Sequence, residues 1–205
     1  MASEAGVAEL ADAGDLNSPG PKGRVGSIPT PGTSLHAAAL CLLAGCGGPT
    51  APPASTPSAI IDVPAGITGS NGYPGQSFTL AAGQRVNRLQ FTWYRRTGDV
   101  SAAGTLYLLT QEFLGQPGAL SPQTFGYLSH SARVEGNRFI FPDQVTLSAG
   151  LTYWVYSDTQ QDYSLVRQND RYAGGAMYNT GHGSQPFRLV PGEDISFRLE
   201  GVTVR

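Results

Sequence analysis

The feature that most constrains this chain is a two-residue hydrophobic period recurring at short spacing between residues 76 and 200, with no 3.6-residue period that lasts for ten residues. Successive side chains of a strand point to opposite faces, so such alternation specifies half-buried strands. Gln76–Leu80 is followed by the turn Ala81-Ala82-Gly83, and Arg85–Tyr94 then alternates with Leu89, Phe91 and Trp93 on one face. Gly104–Thr110 reads as a third strand. Thr124–Val134 and Asn137–Phe141 follow, joined by a hairpin turn at Glu135-Gly136-Asn137. Leu151–Ser157 is rich in strand formers, and the last strand turns Ile195, Phe197 and Leu199 inward. About eight to ten such strands between Gly- and Pro-bearing turns predict an all-β, two-sheet antiparallel sandwich over 60–205.

The rest of the chain has a different character. Every Trp, Tyr and Phe lies after residue 59. Residues 1–34 combine four acids and two bases with Ala, Gly, Ser and Pro in no sustained pattern, as in a disordered or mis-annotated leader. The apolar run over 35–45 is shorter than the ~20 residues that span a bilayer, but matches a signal-peptide core of ~7–15. It ends in Leu43-Ala44-Gly45-Cys46, and 46–59 is a linker rich in Pro, Thr and Ser. As residues alone, the run also reads as a short buried helix ending at Gly45, with Cys41 and Cys46 as core thiols.

Leu43-Ala44-Gly45-Cys46 resembles the lipobox of bacterial lipoproteins, in which small residues precede the cysteine that is lipidated and becomes the first mature residue. That resemblance implies export and a membrane anchor at Cys46. The next residue is Gly47, not the Asp of an inner-membrane retention signal, which points to the outer membrane or cell surface. Lys22 and Arg24 lie more than ten residues before the run, farther than in such signals, and a start placed too far upstream accounts for the gap.

A second resemblance covers residues 70–201. Gly104-Thr105-Leu106-Tyr107-Leu108, the loop Leu114-Gly115-Gln116-Pro117-Gly118, Leu147-Ser148-Ala149-Gly150-Leu151-Thr152-Tyr153-Trp154 and Ala173-Gly174-Gly175-Ala176-Met177-Tyr178 carry it. They are similar to the jelly-roll domains of bacterial surface proteins, of the choice-of-anchor type, whose architecture is like that of carbohydrate-binding modules. The likeness implies a jelly-roll-like fold; its motifs are structural and name no ligand.

Charge and motif content narrow the function. A formal net charge of -2, with 13 Lys+Arg against 15 Asp+Glu, excludes a nucleic-acid binder that works by bulk positive charge. Only His130 and His182 lie in the domain, without any cysteine, nucleophile elbow or phosphate loop, so no enzyme activity is expected. Asp158 and Asp162 offer oxygen ligands for a structural calcium, although their spacing fits no calcium loop and Asp also serves turns for its own reasons; no other cofactor is expected.

Aromatic rings can stack on a pyranose, and Tyr94, Tyr107 and Tyr156, with Arg96, occupy alternation positions that can face outward. Trp93 and Trp154 are expected to fill the core. The reading is therefore a lipid-anchored envelope protein with a non-catalytic sandwich that binds glycans. The alternative is a structural or protein-interaction module with no small ligand.

Overall fold

The computed structural model describes residues 55–64, 66, 68–70, 72–95, 102–161, 164–168, 172–181 and 183–204. The chain divides between Thr50 and Ala51 into two units, and all described residues lie in the second. Cys46, expected from the sequence to be lipidated, lies outside them, as do Arg96, Asp162 and His182.

Fifteen strands occur among the described residues: β1 (Ser58–Val63), β2 (Thr68–Ser70), β3 (Pro74–Thr79), β4 (Arg85–Trp93), β5 (Leu106–Leu109), β6 (Tyr127–His130), β7 (Arg133–Glu135), β8 (Arg138–Ile140), β9 (Leu147–Ser148), β10 (Thr152–Ser157), β11 (Ser164–Gln168), β12 (Met177–Asn179), β13 (Arg188–Val190), β14 (Glu193–Ile195) and β15 (Phe197–Thr203). The expected all-β sandwich is present: two antiparallel six-stranded sheets. The first runs β1-β15-β4-β8-β7, with β9 also on β4, and the second runs β13-β12-β3-β10-β5-β6. A small sheet, β14-β11-β2, pairs with neither, although Ile195 of β14 joins the core and its N–H donates to Gln76 of β3. Among the described residues the one helical turn is a 3-10 turn at Pro117–Ala119.

Alternation builds the core. Leu89, Phe91 and Trp93 of β4 meet Phe197 and Leu199 of β15, and face Phe78, Leu106, Leu108, Tyr153 and Val155 of the second sheet. Phe91 stacks on Phe197 at 5.1 Å, and Phe78 closes on both from the opposite sheet at 6.5 and 6.3 Å. Stacked and edge-on rings fill such a layer with little void and supply most of its apolar area.

Three expectations need correction. Alternation does not run unbroken through β4, because Val86 and Leu89 both face inward. Gln90 pairs Glu200 and Asn87 pairs Val202, so Arg88 and Leu89 together oppose Gly201 alone. This is a β-bulge, and Arg88 takes the positive φ of 51° that glycine usually supplies there. The linker also ends early, since β1 begins at Ser58. Finally, Thr124–Val134 is two short strands, β6 and β7, which belong to different sheets. The hairpin at residues 135–137 is found as expected: Glu135 pairs Arg138, and Gly136 turns the chain at φ 61°.

Candidate functional site

The outer faces of the two sheets differ, and the candidate site lies on that of the first. Cross-strand pairing there lines up one row over five strands: Asp62 beside Arg198, Arg198 beside Thr92, Thr92 beside Arg138, and Arg138 beside Glu135. Each of these positions alternates with a core residue, so the row points outward. A second row holds Glu200, Gln90, Ile140 and Arg133. Along the first row lies a groove of about 410 Å³, lined by Tyr94, Arg138, Arg198, Glu135, Asn137 and Glu200.

The groove is held by its own polar contacts. The Tyr94 hydroxyl donates to Asp62 Oδ1 at 2.8 Å, and its backbone N–H donates to the Ser196 carbonyl, so the ring is tied at both ends. Partial burial and the Asp62 carboxylate raise the Tyr94 phenol above its usual pKa, while nearby Arg198 opposes them. Arg198 pairs with Glu200 at 3.2 Å and Arg133 with Glu135 at 2.7 Å. Hydrogen bonding from Arg133 holds the Glu135 carboxyl below its ordinary range. Arg138 donates to Gln90 Oε1 at 3.0 Å, and its charge adds to the lowering of Glu135. The groove thus offers one fixed ring, guanidinium donors and carboxylate and amide acceptors, a set suited to a ligand rich in hydroxyls.

A smaller hollow of about 170 Å³ on the same sheet is lined by Pro57, Arg88, Gln90, Arg133 and Asp143. Here the bulged Arg88 reaches Asp143 at 3.4 Å and donates to the Ser55 carbonyl at 3.2 Å. The bulge therefore ties the incoming chain to this face.

The second sheet's outer face carries a second core instead. Leu109, Tyr156, Tyr178 and Phe187 are buried there with Leu120, and Phe113 and Trp154 pack against them. Tyr156, expected as a ligand-facing ring, is 0% exposed and presents no surface to a sugar. Its hydroxyl accepts from the Phe113 N–H at 3.1 Å and pins the loop that covers it, and burial pushes its phenol well above the usual value. Its neighbour Tyr178 is pushed up to about 12, chiefly by burial. Trp154 is only half-buried, with its indole N–H donating to the Tyr178 hydroxyl at 3.3 Å; Trp93 is a core residue as expected.

Tyr107 is half-buried on this same second face, so it does not join Tyr94. Asp158 lies in the turn after β10, where Oδ1 accepts from the Thr105 N–H at 2.7 Å and the Thr159 hydroxyl at 2.8 Å. That is the turn-forming use of Asp. Among the described residues no group of three or more His, Cys, Asp or Glu gathers around a common point.

Sequence reasoning missed Arg138, Arg198, Glu135, Asn137 and Glu200 as site residues. Arg198 and Glu200 were visible as the polar positions of an alternating strand. Nothing in the spacing shows that β8 lies beside β4. Compared with protein-family models, curated proteins and solved structures, the chain matches none of them.

Proposed function

We propose that this is a lipid-anchored protein of the bacterial cell envelope, tethered through Cys46, whose non-catalytic sandwich binds a glycan in the groove of its first sheet. The observation that carries the binding half is the groove itself, where the Tyr94 ring tied to Asp62 borders Arg138, Arg198, Glu135 and Glu200. Hydroxyls of a sugar exchange hydrogen bonds with water for bonds to these groups, and the ring offers an apolar face to sugar C–H bonds. Glu135 is not the protonated carboxyl that a glycosidase uses as its general acid, because Arg133 pushes it the opposite way.

A second reading, a protein-interaction module, draws on Phe125, an apolar ring 81% exposed on the loop before β6. The two readings separate in a pull-down on a panel of insoluble and envelope polysaccharides. Retention that is lost in Tyr94→Ala and Arg138→Ala supports the groove, and no retention on any polymer favours the second reading. The anchor has its own test. Mass spectrometry of membrane-extracted protein should find a diacylglyceryl-modified peptide beginning at Cys46, and an unmodified peptide spanning residues 45–47 as the main species ends that part of the proposal.

A further inference from the structure

We infer that the open edge of the second sheet carries another ligand site, distinct from the groove: a strip of three rings, Tyr107, His130 and Tyr127, that receives a neutral pyranose chain. The register makes the strip. Tyr107 on β5 pairs directly with His130 on β6, and Tyr127 pairs with Leu109, so all three side chains leave the same face. The centroids of Tyr107 and Tyr127 lie 5.8 and 6.0 Å from that of His130, with tilts of 38° and 37°. All three rings are partly exposed, and β6 is the last strand of its sheet among the described residues.

Tyr107 and Tyr127 pack against the second core, yet their hydroxyls are used differently from those of Tyr153, Tyr156 and Tyr172. Tyr153 and Tyr172 spend their hydroxyls on the backbone of Ser148 and Thr79, and Tyr156 on that of Phe113. Tyr127 instead bonds His130 Nδ1 at 2.6 Å, which fixes both rings without tying down any loop. The Tyr107 hydroxyl makes no hydrogen bond among the described residues, and Nε2 of His130 makes none either. A row of pre-set ring faces, each with a polar tip at its rim, matches a ligand that offers flat C–H faces and a rim of hydroxyls. With the groove on the opposite sheet, two sites would let one domain bridge two glycan chains and gain avidity.

The test is a titration of the full chain with cellohexaose, xylohexaose and chitohexaose, followed by NMR of the tyrosine and histidine ring signals. The expected result is that at least one of the three shifts the signals of Tyr107, Tyr127 and His130 together. Tyr107→Ala should then weaken that binding about tenfold, and Tyr107→Leu, which keeps the apolar volume that packs the sheet, should weaken it as much. Signals at the strip that stay fixed with all three probes overturn the inference, as does binding unchanged in Tyr107→Leu. Tyr94 signals report the groove separately, so failure of one site is distinguishable from failure of the other.

Discussion

The outer faces of the two sheets begin from the same pattern and end differently. On β4 the positions between core residues are Gln90 and Thr92, and the face they form stays bare, charged and grooved. On β10 the corresponding positions are Trp154 and Tyr156, and the loop between β5 and β6 folds over them with Phe113 and Leu120 to make a second core. A polar outer face needs no cover, whereas an aromatic one exposed to water is unfavourable in proportion to its area until something buries it. Alternation therefore tells which residues share a face, and the chemistry of the outward set tells whether a loop will cover it. The face left bare is the one that carries the groove.

The largest effect that would break this comparison is at Tyr156. If it belongs to a second core, Tyr156→Ala should cost about 3–5 kcal/mol in urea unfolding, as for other fully buried rings. Gln90→Ala on the bare face should stay within about 0.5 kcal/mol. Equal losses at the two positions would remove the distinction.

The next effect is steric. A Cβ on Gly175 would collide with the Ser77 carbonyl oxygen, backbone that cannot swing aside. Gly175→Ala should therefore cost about 1–3 kcal/mol, read as a lower urea midpoint with an unchanged slope. The open hairpin glycine Gly136 has no such neighbour.

Titration sharpens the contrast further. Tyr178 ionises near 10 when unfolded and near about 12 when folded, so the folded state keeps its proton longer. Its contribution is whole below pH 10 and is lost as pH rises through 10 towards about 12, because there the unfolded chain binds fewer protons. Unfolding free energy measured against pH should fall over that window in wild type and fall less steeply in Tyr178→Phe.

The smallest effect lies on the bare face. Tyr94→Phe removes one partly exposed hydrogen bond to Asp62 and should cost at most about 1 kcal/mol, while leaving the ring in place. A larger loss would mean that Tyr94 serves the fold more than a ligand.

Much of the fold was legible because the residues between Gln76 and Glu200 alternate, and because the glycine of the 135–137 hairpin marks its own turn. β1, β2, β9 and the strands from β11 to β14 were missed; most are short or border Gly or Pro, and most of their partners are remote in sequence. The bulge was hidden as well, since Arg88 stands where a glycine would have announced it. Of the ring nominations, Tyr94 and Tyr107 are partly exposed and Tyr156 is not. Period 2 puts Tyr107 and Tyr156 on outward positions, but only the loop that packs on the sheet decides which ring it buries. The remaining groove residues come from β15 and from the β7–β8 hairpin, and spacing does not encode that β15 and β8 pair with β4.

The central claim is that the bare face of the first sheet is the working surface, and affinity electrophoresis through gels containing the polysaccharide that retains the protein tests it most directly. The account predicts that Tyr94→Ala and Arg138→Ala each weaken retardation about tenfold or more, with melting temperatures close to wild type. Retardation equal to wild type in both variants would contradict it.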